Sequence, residues 1–306
     1  WPMDPLSDVL SLLKLRSFKS GGLEAGGDWS ILFPRHEGIK CYTAVSGECW
    51  LAVEGIPEVV RVKPGDCFLL PTGTAFRLAS DLGLAPVDAN TVFPVVQDGG
   101  VSCLNGGGDF FSVGGHFALS GDFASVLTSI LPPIVHIHNE SDKAVLRWCV
   151  EGMRQELRNP QPGGFLVAQQ LATMMLVLAL RLHLAEGMKE GIGWLFALAD
   201  KRMAAAITAM HADPAHRWTL QSLAKKAGMS RTVFATKFKQ VVGLSPLDYL
   251  TRWRMLLAAE RLKNSGVPIT SIAQSLGYES DSAFSTAFKR VMGCSPRNYA
   301  VIRGVG

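Results

Sequence analysis

An internal repeat in the last third of the chain constrains the fold more than any other feature. One copy runs Leu223-Ala224, Gly228, Ser230, Phe234, Phe238-Lys239, Gly243 and Ser245-Pro246. The second runs Ile272-Ala273, Gly277, Ser280, Phe284, Phe288-Lys289, Gly293 and Ser295-Pro296. The offset is 49 residues before the turn (Leu223 to Ile272) and 50 after it (Ser230 to Ser280), so the second turn carries one extra residue. Each repeated residue type has a physical task. Alanine at 224 and 273 lets another helix cross closely. Gly228 and Gly277 suit the left-handed backbone that ends a helix, and Ser230 and Ser280 then cap the next one. Thr219 caps the short helix of the first copy, and the phenylalanines at i and i+4 face inward. The pattern predicts helix, tight turn, helix, twice over, at helix-turn-helix spacing.

The outer face of each second helix follows from 100° per residue. Thr232, Ala235, Thr236 and Lys239 point away from the Phe face, as do Ser282, Ser285, Thr286 and Lys289 in the second copy. Small and hydroxyl side chains approach base edges closely, while Lys and Arg hold phosphates. Candidate DNA contacts are therefore Arg231, Thr232, Ala235, Thr236 and Lys239, with Asp281, Ser282, Ser285, Thr286, Lys289 and Arg290. The bland alternative is a plain helical repeat with solvated outer faces. Charge weighs against it. Residues 194–306 hold 16 Lys and Arg against 6 Asp and Glu, whereas residues 1–193 hold 14 against 20. A basic back and an acidic front suggest that only the back meets a polyanion. Between the copies, Pro246–Asn264 reads as a helix of about 28 Å at 1.5 Å per residue. Such a rod suits two recognition helices on one face of a duplex, where successive major grooves are about 34 Å apart.

Leu220–Ala300, with Tyr249-Leu250, Arg252-Trp253-Arg254-Met255 and Gly277-Tyr278-Glu279-Ser280 embedded, resembles the AraC/XylS family of transcription regulators. The match covers roughly residues 195–302. Residues 1–135 resemble, more loosely, the cupin-type effector domain common in that family. The resemblance implies a seven-helix DNA-binding domain, an N-terminal sensing or dimerising domain, and promoter binding that activates or represses transcription. Many relatives carry an arginine base reader where this chain has Thr236. The operator therefore does not follow by analogy, and Arg231, one turn earlier, is the candidate substitute.

The front of the chain reads as strands over residues 29–119. Runs at Lys40–Val45, Cys49–Glu54, Val59–Val62, Cys67–Leu70 and Phe76–Ala79 alternate with Gly47, Gly55, Pro64-Gly65 and Thr72-Gly73. A small antiparallel barrel or sandwich is expected, followed by a loose stretch over Gln97–Gly108. Past Pro132-Pro133 the pattern turns helical. One helix, capped by Asn139 or Ser141, carries a Val145, Cys149, Met153 and Leu157 row with Trp148 alongside. A longer one runs from about Phe165 to Glu186. Gln169, Gln170, Thr173, Arg181 and His183 interrupt its apolar run and argue for a buried or dimer-forming helix over a membrane span. Leu166, Leu171, Met174, Met175, Leu178 and Leu182 are its candidate pairing residues.

The second metal-binding motif of cupins has a skeleton here in Gly65, Pro71-Thr72-Gly73 and Phe76. By resemblance Phe76 stands where a metal cupin would have histidine, and the first motif region, Ile39–Gly55, has no histidine at all. No metal, cofactor or catalytic residue is expected. Candidate effector contacts are Trp29, His36, Tyr42, Trp50, Arg77 and His116. Six dispersed cysteines without metal-ligand spacing suit a reduced cytoplasmic protein.

The reading is an α+β regulator. It has a cupin-like sensor (1–135), a helical dimerisation segment (136–193) and a DNA-binding domain with two helix-turn-helix units (194–306). Expected partners are promoter DNA, a small-molecule effector, a second copy of the chain and RNA polymerase, with no membrane. The competing functions are a metal-dependent cupin enzyme with a DNA-binding tail and a ligand-independent architectural DNA binder.

Overall fold

The computed structural model describes residues 4–12, 15–93, 100–119, 131–186, 197–198, 200–264 and 267–303. They form two compact units, one spanning Lys14–Glu186 and the other Trp1–Leu13 with Gly187–Gly306. The two helices between residues 139 and 187 therefore pack with the strands, and the N-terminal helix packs with the basic C-terminal region.

The first unit is built from two sheets. Its strands are β1 (Leu15–Ala25), β2 (Ser30–Phe33), β3 (Ile39–Ser46), β4 (Cys49–Val53), β5 (Val60–Val62), β6 (Cys67–Leu70), β7 (Phe76–Ala79), β8 (Val87–Asp88), β9 (Val101–Leu104), β10 (Phe110–Leu119) and β11 (Val135–Ile137). One sheet has the order β11-β6-β3-β10-β1-β9 and the other β5-β4-β7-β2-β8. Pairing is antiparallel except for β1 with β9 and β2 with β8. Leu23, Ile31, Phe33, Leu51, Phe68, Phe76, Leu78 and Phe110 fill the space between the sheets. Phe33 and Phe76 stack with centroids 4.4 Å apart. The runs expected at Cys67–Leu70 and Phe76–Ala79 form strands with those bounds. Three strands fall where none was expected: β1 begins before residue 29, β9 lies inside the stretch read as loose, and β11 follows the Pro pair. All six cysteines are free, and the Cys41 and Cys67 sulfurs lie 3.8 Å apart.

Two long helices follow the strands in this unit. The first, at Glu140–Arg158, buries Leu146, Cys149, Met153 and Leu157. Val145 and Trp148 are exposed instead, 46% and 67%. The inward row thus starts at Leu146, one residue later than expected, because a 3-4-4 spacing follows the 3.6-residue period better than an unbroken i+4 row. The buried Asp66 carboxylate pins this helix to the sheet, binding Lys143 Nζ at 2.8 Å and His136 Nε2 at 3.0 Å. The second helix, Gly164–Glu186, is long and apolar enough to cross a membrane by composition alone. Here its Ala168, Ala172, Met175, Leu176, Ala179 and Leu180 are buried. It covers the outer face of the larger sheet, where the Thr43 hydroxyl meets the Met175 sulfur at 3.4 Å. Leu171 is buried as well, against Gly152, while Leu166 and Met174 stay exposed.

In chain order the helices are α1 (Pro5–Leu12), α2 (Ala89–Val92), α3 (Glu140–Arg158), α4 (Gly164–Glu186), α5 (Lys201–Ala212), α6 (Leu220–Lys226), α7 (Arg231–Val242), α8 (Pro246–Asn264), α9 (Ile269–Ser275), α10 (Asp281–Met292) and α11 (Pro296–Arg303). The second unit holds α1 and α5 to α11. Buried His211 on α5 ties α1 in: its Nδ1–H donates to Asp8 at 3.1 Å, and its Nε2 accepts the Tyr249 hydroxyl at 2.7 Å. Its ring also stacks on Trp253, with centroids 3.7 Å apart. Burial holds His211 below the usual histidine range, against the pull of Asp8.

Candidate nucleic-acid interface and internal cavity

Local chemistry builds the two helix-turn-helix units as the repeat requires. Thr219 opens α6 with a capping box, accepting from Ser222 N at 3.0 Å while Thr219 N donates to the Ser222 hydroxyl at 2.9 Å. Ser230 caps α7 by accepting from Val233 N at 3.4 Å, and Ser280 caps α10 by accepting from Ala283 N at 3.2 Å. Gly228 and Gly277, at φ +62° and +79°, turn the chain between the paired helices through the left-handed region, where other residues are strained. Phe234, Phe238, Phe284 and Phe288 are each 0% exposed and form the two inner faces.

The two second helices repeat one burial order. Positions 231–240 and 281–290 repeat one order of exposed, half-buried and buried side chains. Arg231, Thr232, Thr236 and Lys239 are exposed on α7, as are Asp281, Ser282, Thr286, Lys289 and Arg290 on α10. Ala235 and Ser285 are half-buried at equivalent places. All eleven candidates thus lie on α7 and α10, the second helices of the two helix-turn-helix units. The helix starts differ: Arg231 opens α7 with no acid in its first turn, whereas Asp281 opens α10 and accepts the Thr270 hydroxyl at 3.0 Å. Sequence reasoning passed over Lys237, which is drawn to Asp200, the cap of α5, and so anchors α7 inside the unit.

The first unit contains a cavity of about 330 Å³ between its sheets. The larger sheet lines it with Ser20, Gly21, Gly22 and Leu23 on β1 and with alternate residues of two other strands, Lys40 and Tyr42 on β3 and Ser112, Gly114 and His116 on β10. Phe33, His36, Leu78 and Phe93 close the other side. Gly114 matters here because a Cβ would collide with the Tyr42 ring and the Cys41 carbonyl. Of the six expected effector contacts, the structure brings His36, Tyr42 and His116 to this cavity. Trp29 is instead a core ring 5.0 Å from Phe110. Trp50 packs under Arg61, and Arg77 donates to the Ser30 hydroxyl at 2.7 Å and to the Leu84 carbonyl. These three do not line this cavity.

Lys40 is a buried charged lining residue that sequence reasoning missed. Its ammonium lies 4.9 Å from the centre of the Phe33 ring and 5.0 Å from that of Phe76. It is 9% exposed, and burial lowers it to about 8. His36 stands at right angles to His116, centroids 5.5 Å apart. Burial first, then the Lys40 and His116 charges, hold His36 at about 4. His116 Nε2 meets the Glu37 carbonyl. Phe76, at the place of a metal-cupin histidine, is a buried ring stacked on Phe33.

Residues 4–185 match the family model for Cupin, and residues 223–301 match that for a helix-turn-helix domain. An AraC-like transcription regulator of Streptomyces antibioticus is 43% identical over 92% of this chain and 93% of its own length. The HTH-type transcriptional regulator AlkR of Acinetobacter baylyi is 28% identical over 92% and 94%. Among solved structures, the DNA-binding domain of AdpA in complex with a target DNA is 28% identical, covering 32% of this chain and 89% of that one at a TM-score of 0.32. A cupin unit followed by a basic double helix-turn-helix unit, together with a relative of this identity along nearly the whole chain, makes the chain a member of the AraC-like family of DNA-binding transcription regulators.

Proposed function

We propose that the chain grips promoter DNA with α7 and α10 in successive major grooves, and that a small molecule in the strand unit's cavity changes that grip. The observation that carries the first part is the burial order shared by 231–240 and 281–290, set in a segment with a ten-charge excess of Lys and Arg. The first helix takes the larger share of affinity. A cationic start without a carboxylate lets the exposed N–H groups and Arg231 face phosphate or guanine together. The Asp281 start of α10 weakens that pull.

The strand unit is a binding body in this reading, not a catalytic one, and the protein works in the cytoplasm. Near-stoichiometric iron, zinc or manganese in purified protein would count against this. Val145, Trp148, Leu166 and Met174 are exposed on α3 and α4, and a second copy of the chain is the partner the reading assigns to them. RNA polymerase is the further partner at the promoter.

The test is fluorescence anisotropy of the full chain on DNA from its neighbouring promoters, with and without a low-molecular-mass cell extract. The reading expects salt-sensitive binding whose affinity the extract changes. No salt-sensitive binding overturns the DNA assignment. Binding that no extract alters overturns the effector assignment and leaves an architectural binder.

A further inference from the structure

We infer that the cavity takes a small organic monoanion, a carboxylate on a compact apolar body, with the carboxylate at Lys40 and the body against Phe33, Leu78 and Phe93. This rests on the reading of the strand unit as an effector domain and names the chemistry of its ligand.

Three observations converge. The first is a buried charge with no counter-charge. Alternation on β3 sends Lys40 and Tyr42 into the cavity while Cys41 and Thr43 face α4. Among the described residues no carboxylate pairs with Lys40, and no residue lining the cavity is acidic. An ammonium taken out of water without a partner is costly to keep. The two ring faces beneath it offset only part of that cost. A bound anion removes the rest.

The second is a set of polar atoms left open around it. Ser20 Oγ is buried without a hydrogen bond. Both His36 ring nitrogens are buried without a well-formed one, although the Leu70 and Pro34 carbonyls face the ring. Buried polar groups are rarely left so. One neutral imidazole N–H and one hydroxyl suit the oxygens of a carboxylate. His36 is uncharged near neutrality, and Arg35, the other cation on the lining, is paired with Glu54 at 2.9 Å, so Lys40 is the cation left to meet the ligand, which favours one negative charge over two.

The third is size and wall chemistry. At roughly 30 Å³ per water-sized group, a volume of about 330 Å³ admits about eleven non-hydrogen atoms. Leu23, Phe33, Leu78, Ala89 and Phe93 form the apolar side of the wall. A bare inorganic anion leaves that side uncovered, and a neutral apolar molecule leaves Lys40 unpaired.

Isothermal titration of the full chain at pH 7 with three isosteres tests this: 3-phenylpropanoate, 3-phenylpropanamide and 3-phenylpropylamine. The expected result is acid binding at least tenfold tighter than amide, with no measurable heat for the amine. Lys40→Met should abolish that preference while a thermal melt shows the variant folded. Amide or amine binding as tightly as the acid overturns the proposal, as does an acid preference that survives Lys40→Met. Failure of all three probes also overturns it. If the cell extract still changes DNA affinity when all three probes fail, the effector reading stands and only the anion is lost.

Discussion

The guanidinium of Arg254 lies 5.6 Å from the centre of the Tyr278 ring. The same side chain donates to the Pro214 carbonyl at 2.6 Å and the His216 carbonyl at 2.9 Å. Arg254 sits on α8 between the two repeats. Pro214 and His216 lead into the first unit, and Tyr278 is in the turn of the second. Glu279 in that turn pairs with Arg217, and Gly277 passes so close to the Ala215 carbonyl that a Cβ would collide with it. The longer second turn is therefore where the two helix-turn-helix units dock, which fixes one recognition helix relative to the other.

Breaking this dock should separate the units. Arg254→Met removes two hydrogen bonds and a ring contact, at a cost of about 1–3 kcal/mol in folding stability. Gly277→Ala should destabilise more than Gly228→Ala. Both glycines need positive φ, but only Gly277 faces backbone at that distance. Thermal melts rank the three. For Arg254→Met, affinity for DNA carrying both half-sites should fall further than affinity for a single half-site. Equal losses would show that the dock does not align the helices.

Base reading and phosphate holding should divide between Arg231 and Lys239. The six short side chains Thr232, Ala235, Thr236, Ser282, Ser285 and Thr286 cannot make bidentate guanine contacts, so the long reader expected in the first unit is Arg231. Arg231→Ala should cost about 1–3 kcal/mol on the true site alone. Lys239→Ala should weaken true and scrambled DNA alike and flatten the salt slope by about one. Anisotropy on both sequences at two salt concentrations decides; equal losses for Arg231→Ala would make it a phosphate contact.

Lys40 should cost the empty protein stability. Burial holds it at about 8 against 10.5 for a free lysine, which amounts to about 3 kcal/mol while it stays charged. Because the folded value is the lower one, the cost is full below pH 8 and is relieved as pH rises towards 10.5. Lys40→Met should melt several degrees higher than the unchanged protein at pH 7, with the gap closing towards pH 10.5. A lower melting point at pH 7 would show that the ammonium is well satisfied without ligand.

The long helix α4 offers a contrast of positions seven or fewer residues apart. Leu171 is 7% exposed against Gly152, and Leu166 is 61% exposed. Leu171→Glu should cost several kcal/mol by burying an unpaired carboxylate. Leu166→Glu should leave the melt within about 0.5 kcal/mol and, with Trp148→Glu, turn a sedimenting dimer into monomer. An unmodified chain that sediments as monomer at micromolar concentration contradicts the pairing.

The legible parts of this molecule were those set by local chemistry. Thr219, Ser230 and Ser280 cap helices, Gly228 and Gly277 take positive φ, and the four repeated phenylalanines are buried, because each depends on neighbours within a few residues. Contacts across long stretches of sequence were not legible. Asp8 meets His211 across 203 residues, and nothing near either residue signals it. β1 escaped notice because Ser20, Gly21 and Gly22 carry no hydrophobic alternation, being cavity wall. Lys40 was overlooked since a lysine in a strand ordinarily marks a solvent-facing position, and only the closure of the two sheets turns it inward. Trp29, a candidate effector contact in the sequence, instead serves packing against Phe110.

The central claim, two recognition helices in successive major grooves on one side of the duplex, is tested most directly by a hydroxyl-radical footprint. The full chain would first select its site from a random duplex library. The account predicts two protected patches about 10 base pairs apart on one face of the DNA, the patch under α10 fading in the Arg254→Met protein. A single protected patch, or two on opposite faces, would contradict it.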